Sequence, residues 1–208
     1  MCRHVMMLTS LLSVLMSDGV LIKNMNVFEI GGGYGNMARI MAKSFLFLHW
    51  TIFDMSHCTQ IQQWFLHKSL GDSVYVHSTV GYGHTLPSNN PFLHNSSIQL
   101  STIKPTIHLV DSRNMFSYGL QNREKLTVVI ATHSWSELPW EEFVSYWYLV
   151  KRAQYILYST QMSFPSSIIC STKIDTIKTC FDVAFLYKTE GGNVWNYVFK
   201  KNVKLKCR

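Results

Sequence analysis

The stretch that decides the fold is Val27-Phe28-Glu29-Ile30-Gly31-Gly32-Gly33-Tyr34-Gly35. It reads as a buried strand that runs straight into a glycine-rich turn, and a helix follows from about Asn36. Glycine accepts positive φ angles and lets a ligand approach the backbone without a Cβ clash. The start of a helix also favours an anionic group, because its N–H groups are free and its dipole is positive there. The stretch therefore predicts a strand, a turn and a helix that together bind a ligand.

A carboxylate follows the next apolar run, because Asp54 comes directly after residues 49–53. The spacing Glu29-x-Gly31-x-Gly33-x-Gly35, followed by this acid, resembles the first motifs of class I S-adenosylmethionine (SAM)-dependent methyltransferases. The resemblance implies that the turn cradles the methionine part of SAM and that Asp54 holds the ribose hydroxyls. The cofactor-binding residues that it implies are Glu29, Gly31, Gly33, Tyr34, Gly35, Asp54, Met55, Asp111, Ser112 and Thr132.

Two other interpretations of the glycine turn stay open. The spacing Gly33-x-Gly35-x-x-Ala38 also fits the phosphate-binding fingerprint of dinucleotide-binding folds, in which Asp54 would hold the ribose of NAD. Alternatively, the turn has only a structural role and binds no ligand. The rest of the chain has to decide among SAM, NAD and no ligand.

The composition indicates a single globular domain spanning residues 1–208. Of 208 residues, 47% are hydrophobic and 15% are charged, so the chain can bury a sizeable core and is too apolar for disorder. The formal net charge is +7. Part of this excess lies near the end of the sequence at Lys200, Lys201, Lys204, Lys206 and Arg208. Such a cluster is more typical of a solvated segment than of a nucleic-acid-binding arm, so a nucleic-acid partner is not favoured.

Cysteine and histidine spacing predicts neither a disulfide framework nor a metal site. The five cysteines are odd in number and form no CxxC pair, which favours a reducing compartment. The nine histidines show no HxxxH or HExxH spacing. Residues 5–16 are mostly apolar, but the run is too short to span a membrane and has no clean cleavage site. We expect a helix over residues 1–16, ended by Gly19, in a cytoplasmic protein.

Apolar spacing predicts the faces of the next two helices. The helix after the glycine turn should bury one stripe, formed by Met37, Ile40, Met41 and Phe45. Ser56 is expected to cap the following helix. The buried face of that helix is expected to carry Cys58, Ile61, Trp64 and Phe65.

Residues 73–105 interrupt the alternation of strands and helices. They are rich in Ser, Asn, His, Gly and Pro and form a connection far longer than usual, with a short β-rich run at residues 74–76. A link from a helix to a strand lies at the N-terminal edge of a doubly wound sheet, whereas ligands bind at the carboxyl edge. We therefore expect this insert to lie away from the cofactor.

The later strands bring polar side chains to the carboxyl edge. Residues 106–110 predict a third strand, followed by Asp111 and Ser112, which either line an adenine pocket or cap a turn. Residues 126–131 predict a central parallel strand, which places residues 132–139 opposite the glycine turn. Pro139 suits the first turn of the next helix.

The end of the sequence separates SAM from NAD. A fifth strand is predicted at residues 155–159, and two β-rich runs, residues 181–187 and 194–200, flank a Gly-Gly pair. Class I methyltransferases have such an antiparallel pair, whereas NAD-binding folds usually continue in parallel, so the pair favours SAM. The predicted fold is a doubly wound, Rossmann-like α/β class I methyltransferase fold with a C-terminal antiparallel hairpin. Its mixed sheet should have about seven strands.

The resemblance narrows at the fourth strand. The sequence Phe28-Glu29-Ile30-Gly31-Gly32-Gly33-Tyr34-Gly35, then Asp54, then Ser136-Glu137-Leu138 before a helix, resembles a family of sugar O-methyltransferases. The resemblance covers residues 26–70 and 126–160. The chain departs from that family by lacking a long N-terminal helical region and by having Thr132-His133 after strand four. The resemblance implies methyl transfer from SAM to an oxygen of a small-molecule or glycan acceptor, such as a sugar hydroxyl.

Other methyltransferase subclasses lack support after strand four. Thr132-His133-Ser134-Trp135 is not the Asn/Asp-Pro-Pro-aromatic motif of amino-methylating DNA enzymes. No Asp ends this strand, as the ribose-methylating tetrad or a catechol-type metal site would require. His133 and Glu137 are the titratable groups expected at the right edge, and a base near neutral pKa would help a hydroxyl to lose its proton.

A hypothesis of another class stays open beside the enzyme. The chain could be a non-catalytic subunit with the SAM-binding fold, which supports a partner or binds RNA through its basic surface. A protein that binds and methylates RNA is the other alternative to a sugar-methylating enzyme. An exposed apolar area beside the glycine turn, or a blocked cofactor cleft, would favour the subunit hypothesis. The sequence does not predict an oligomeric state.

Overall fold

The computed structural model describes residues 3–22, 25–44, 49–78, 104–115, 117–118, 127–132, 134–161, 167–189, 193–205 and 207. His133, Phe45 and residues 79–103 are among those outside the described residues.

Within those ranges the strands form one mixed sheet. The strands are β1 Asn26–Ile30, β2 His49–Asp54, β3 Tyr75–Ser78, β4 Thr106–Asp111, β5 Val128–Thr132, β6 Tyr155–Gln161, β7 Phe181–Lys188 and β8 Val194–Lys201. Their order across the sheet is β3-β4-β2-β1-β5-β6-β8-β7. Strands β1 to β6 pair in parallel, and β8 lies antiparallel between β6 and β7. The predicted doubly wound sheet with a C-terminal antiparallel hairpin is confirmed, with β3 as an additional edge strand.

Helices cover both faces of the sheet. They are α1 Arg3–Ser17, α2 Asn36–Ser44, α3 Ser56–Leu70, α4 Ser134–Glu137, α5 Trp140–Val150 and α6 Ser167–Lys178. Apolar residues of α1, α2 and α3 share one core with alternate residues of the central strands, and α4, α5 and α6 share the other. Val128 and Val129, for example, point to opposite cores, as the period of a strand requires. No helix in the described part of the chain is long and apolar enough to cross a membrane.

Helix α3 buries a different face from the predicted one. Its N-cap is Met55, without a side-chain cap, and the Ser56 hydroxyl instead donates a hydrogen bond to Asp111. Ile61 and Trp64 are more than half exposed. The residues that are buried are Thr59, Gln62, Leu66 and Leu70. The prediction was wrong because α3 has two polar residues on its inner face, where their side chains find acceptors in neighbouring segments and in the helix itself.

Strand β3 changes the placement of the insert. It pairs in parallel with β4, with Tyr75 opposite Thr106 and Ser78 opposite Leu109. The chain therefore leaves β3 toward the carboxyl edge of the sheet and enters β4 from the opposite edge. The expectation that the whole insert lies at the N-terminal edge was wrong, because it treated residues 74–76 as part of one helix-to-strand link.

Cys180 and Cys207 form a disulfide that the cysteine spacing did not predict. Their Cα atoms lie 5.1 Å apart although 27 residues separate them in sequence. The antiparallel β7–β8 pair brings them together, because Phe181 lies opposite Lys201 and the Asn202 N–H donates to the Cys180 carbonyl. Cys58 and Cys170 are free thiols.

Candidate cofactor-binding site

The glycine turn is closed on two sides and open on a third. Gly31, Gly33 and Gly35 have φ angles of 70°, 58° and 81°, a region that residues with a Cβ rarely adopt. A Cβ on Gly31 would clash with Ser134, and one on Gly32 would meet Ile52. A Cβ on Gly33 would have nothing within 4 Å. The backbone of Gly33 therefore faces free space, as a ligand cradle requires.

Asp54 and Gln62 fasten the turn to the second strand. One carboxylate oxygen of Asp54 accepts from the Met55 N–H at 2.8 Å, and the other accepts from the Gln62 amide at 2.8 Å. The same amide nitrogen donates to the Gly33 carbonyl at 2.9 Å. Gln62 thus holds Gly33 and Asp54 in one arrangement. Sequence reasoning missed this residue. The sign of its burial is that Gln62 stands four residues before Leu66, which places both side chains on one face of the helix.

Glu29 lies beneath the turn. Its carboxyl is buried and accepts a hydrogen bond from the Trp50 indole N–H at 2.8 Å. Burial raises the pKa of Glu29 to about 8, the nearby Asp54 charge also raises this pKa, and the Trp50 hydrogen bond opposes the rise. The Glu29 side chain therefore retains its proton at neutral pH. It occupies the space under the backbone of Gly32.

Asp111 stands directly opposite Asp54 on the neighbouring strand. It caps the 3₁₀ turn that follows β4, because its side chain accepts from the Arg113 N–H at 2.9 Å. The Arg113 guanidinium and the Ser56 hydroxyl also donate to its two oxygens. The hydrogen bonds from Arg113 hold the pKa of Asp111 well below its usual range. The cap that the sequence analysis considered is confirmed, and the adenine-pocket role stays a prediction.

Two aromatic or apolar side chains border these carboxylates, and a third lies in the glycine turn. Tyr146 of α5 is half-buried and hydrogen-bonds with Ser112. Burial raises the pKa of Tyr146, and the Glu142, Asp54 and Asp111 charges act in the same direction. Met55, directly after Asp54, is 55% exposed, and Tyr34 in the glycine turn is 68% exposed. An apolar rim of this kind beside paired acids suits a ligand with both a ring and hydroxyls.

The segment after β5 closes the site on the other side of the turn. The Ser134 hydroxyl donates to the Ile30 carbonyl at the end of β1, so α4 begins against the turn. Thr132 is half-buried at the end of β5, and Glu137 is exposed at the end of α4. His133 lies between Thr132 and Ser134, outside the described residues. Thr132 thus ends β5 beside the turn, as predicted, and Glu137 lies in the short helix that follows.

A buried lysine holds the far end of this segment. The Lys173 ammonium donates to the carbonyls of Ser136 at 2.8 Å and Leu138 at 2.5 Å, and lies 3.4 Å from that of Trp135. An ammonium has three donors, so it can satisfy the carbonyls that a one-turn helix leaves free at its C-terminus. Burial lowers the pKa of Lys173. Sequence reasoning missed this residue, because nothing near it in sequence marks the contact.

Among the described residues, no group of three or more His, Cys, Asp or Glu side chains is arranged to hold a metal ion.

Comparisons with known proteins support the fold but do not identify a methyl acceptor. The sequence matches no protein-family model, and no curated protein matches it. Among solved structures it is similar to the methyltransferase domain of a bacterial Hen1, with a TM-score of 0.56, 15% identity, and coverage of 93% of this chain and 96% of that domain. It is also similar to an rRNA methylase from Streptococcus thermophilus, with a TM-score of 0.55, 14% identity, and coverage of 94% and 95%.

A third similar structure contains the cofactor itself. It is the magnesium protoporphyrin IX methyltransferase of Synechocystis with bound SAM, with a TM-score of 0.54, 13% identity, and coverage of 95% of this chain and 77% of that one. At identities this low, structural similarity supports the fold and says nothing of the activity. Together with the strand order, these similarities show that the chain has the fold of the class I SAM-dependent methyltransferases.

Proposed function

We propose that the chain binds SAM at the glycine turn and transfers its methyl group to an oxygen. The observation that carries the proposal is the open backbone face of Gly33, flanked by Asp54 and Asp111 on adjacent strands at the carboxyl edge. The residues fit the cofactor, because the turn offers a cradle, the acids offer ribose acceptors and the rim is apolar. Similar structures that bind SAM share this fold.

Each residue around the turn has a role in this proposal. Protonated Glu29 supports the turn from below without adding charge beside the cofactor's carboxylate. Asp54 accepts hydrogen bonds from the ribose hydroxyls while Gln62 keeps it in position. The adenine ring lies among Met55, Ser112 and Tyr146, and Asp111 positions that wall through Arg113 and Ser56. Gly31, Gly35 and Tyr34 shape the cradle around the methionine part.

The NAD interpretation has less support than SAM. The phosphate-binding fingerprint fits at Gly33, Gly35 and Ala38, but the sheet continues into an antiparallel β8 and β7 pair as in methyltransferases. NAD therefore serves as the competing ligand in the binding test.

The acceptor is proposed to be a sugar or glycoconjugate hydroxyl. This choice rests on the sequence resemblance at residues 28–35, 54 and 136–138. The similar structures do not select an acceptor, because one is named for rRNA and another for magnesium protoporphyrin. The sugar proposal is thus independent of the fold.

SAM supplies an electrophilic methyl group on a sulfonium. The chain's own task is to align an acceptor oxygen with that methyl, exclude water and accept the hydroxyl proton. His133 and Glu137 are the proposed bases, since both lie in the segment after β5.

The test is product formation with the full chain, SAM and a panel of sugars and glycosides, measured as S-adenosylhomocysteine released. If His133 is the base, His133→Ala lowers turnover by roughly 100-fold and removes the rise in rate through about pH 6 to 7, with SAM affinity unchanged. If Glu137 is the base, Glu137→Gln shows the larger loss. Glu141→Gln, an exposed acid on α5, is the control. Turnover that survives both variants within tenfold would refute a side-chain base.

One observation favours the second candidate, a subunit that supports a partner. Ile61 and Trp64 on α3 are 53% and 65% exposed, and Tyr34 beside the glycine turn is 68% exposed. Apolar area next to the turn is what this hypothesis requires. It predicts an active complex from a chain that is inactive alone, and Trp64→Ser would then abolish activity of the complex without changing SAM affinity.

A further inference from the structure

A polar cluster lies under the start of α1, on strands β6, β8 and β7. We call Arg3, Ser159, Tyr187 and Asn196 the Arg3 cluster. Asn196 of β8 lies directly opposite Ser159 of β6 and opposite Tyr187 of β7. Directly opposed residues share a face, with Cβ atoms about 5 Å apart. The three side chains therefore form a row across the end of the sheet.

Arg3 covers this row. One guanidinium nitrogen donates to the Ser159 hydroxyl at 3.2 Å, and the guanidinium is close enough to Tyr187 to lower the pKa of that phenol, against the larger effect of burial. The Nε atom of Arg3 is buried without a hydrogen-bond partner. Of the ion pairs in the described residues, Arg113–Asp111 and Lys200–Asp18, neither involves Arg3. Within the described residues this half-buried cation thus has no carboxylate partner, which is costly for folding alone.

Asn196 adds a second, independent signal. Its side chain is 0% exposed, and neither its amide nitrogen nor its amide oxygen has a hydrogen-bond partner. Most buried side-chain polar groups in proteins are paired, and an unpaired amide costs more than an apolar side chain of the same size. Unused donors on Arg3 and Asn196 and an unused acceptor on Asn196 therefore share one face of the sheet.

The cluster adjoins the proposed methyl-transfer point. Ser159 lies opposite Thr132, which precedes the proposed base His133. The next residue of α1, His4, hydrogen-bonds through its ring to Asn36, directly after Gly35. The first turn of α1 thus extends from the glycine turn to the Arg3 cluster. Strands are about 4.8 Å apart, so β6, two strands from β1, is about 10 Å from the turn.

We propose that the Arg3 cluster binds the anionic group of the methyl acceptor, a carboxylate or a phosphate, as in a sugar acid or a sugar phosphate. The Arg3 guanidinium and the Asn196 amide nitrogen donate to the oxyanion, and the Asn196 amide oxygen accepts from a hydroxyl of the acceptor. The Arg3 side chain has to shift to admit the ligand, because Asn196 is 0% exposed, and its guanidinium then donates to the bound oxyanion. This inference rests on the proposed function, since it names the substrate class of that site.

The experiment is a chemical-shift titration of the full chain, saturated with S-adenosylhomocysteine, with four probes. The probes are glucuronate, a glucose phosphate, inorganic phosphate and uncharged glucose. We expect glucuronate or the glucose phosphate to bind at least tenfold more tightly than glucose, and the tighter of the two identifies the oxyanion. Equal binding of glucose, or no binding of either acid, overturns the inference.

Three variants separate binding from folding. Arg3→Met keeps the aliphatic stem and should weaken the acid probe by roughly tenfold or more, since charge-assisted hydrogen bonds are lost. Arg152→Met removes an exposed arginine and should change nothing. Asn196→Leu should leave the chain folded and at least as resistant to urea, yet weaken the acid probe. Acid binding that survives Arg3→Met or Asn196→Leu shows that the anion binds elsewhere and overturns the inference.

The same samples keep this inference apart from the proposed function. If SAM binds but no acid does, only the acceptor assignment fails. If the acid probe requires Arg3 but SAM does not bind, the anion site stands and the methyl-transfer role fails.

Discussion

The two halves of the carboxyl edge are built in different ways. In the half formed by β1, β2 and β4, each carboxylate is satisfied by neighbours within a few residues or on the next strand, as Asp54 is by Met55 and Gln62. In the half formed by β5, β6 and β8, the important side chains come from distant segments. Arg3 arrives from α1 and Lys173 from α6, and Asn196 stays unpaired.

The difference indicates what each half is for. In a site for one cofactor, the side chains that hold the ligand can already be hydrogen-bonded to the protein before the ligand binds, because these hydrogen bonds fix the orientation of the acids. A site with buried, unused donors pays a stability cost that a ligand can offset. We therefore assign the first half to the cofactor and the second to the acceptor.

The largest effect is expected from the anchor of the second half. Lys173→Met removes the ammonium that donates to the carbonyls of Ser136 and Leu138, and each hydrogen bond lost costs roughly 1–3 kcal/mol. We expect a loss of about 3 kcal/mol in the free energy of unfolding, measured by urea denaturation. Lys178→Met, at the exposed end of the same helix, should change it little. A loss below about 1 kcal/mol for Lys173→Met would show that α4 is held by other contacts.

The next effect concerns Glu29 and the pH dependence of the first half. Its folded pKa of about 8 lies above the usual value of 4.5, so the native chain keeps a proton that the unfolded chain loses between these pH values. Stability from this group is full below pH 4.5 and is lost as pH rises through about 8. The free energy of unfolding should therefore fall as pH rises from about 5 to 8, because the unfolded chain releases this proton and the native chain keeps it.

Glu29→Gln tests this because its amide oxygen can still accept from Trp50. The variant should lack that fall, while Glu141→Gln, an exposed acid on α5, should keep it. Denaturation at several pH values measures the slopes. Parallel slopes for the wild type and Glu29→Gln would mean that Glu29 ionises below pH 5 in the folded chain.

The smallest of the three effects leaves folding intact and acts on the cofactor. Asp54→Ala removes the proposed ribose acceptor and should weaken SAM by roughly 1–3 kcal/mol, or about 5- to 150-fold. Asp175→Ala, an exposed acid on α6, is the matched control. Unchanged affinity in Asp54→Ala, measured by calorimetry, would remove Asp54 from the site.

Sequence reasoning reached the first half and missed most of the second for a physical reason. The turn, Asp54 and Asp111 follow strands directly, so apolar runs followed by polar residues place them. Gln62 and Lys173 act through contacts that only packing creates, and the burial of Asn196 follows from the pairing of β6, β7 and β8. The predicted buried face of α3 was wrong for the same reason. Gln62 is buried because it hydrogen-bonds to Gly33 and Asp54, and Trp64 on another face is exposed. The Cys180–Cys207 pair likewise depends on the strand register.

The central claim is that the glycine turn is a SAM site, and calorimetric titration of the full chain tests it most directly. SAM and S-adenosylhomocysteine should bind with one site per chain and a dissociation constant in the micromolar range, and NAD should neither bind nor compete. Gly33→Val should abolish this binding while the far-UV circular dichroism stays that of the wild type, because a β-branched side chain is strained at a φ of 58° and would fill the open face. Binding of NAD with no binding of SAM, or SAM affinity unchanged in Gly33→Val, would contradict the account.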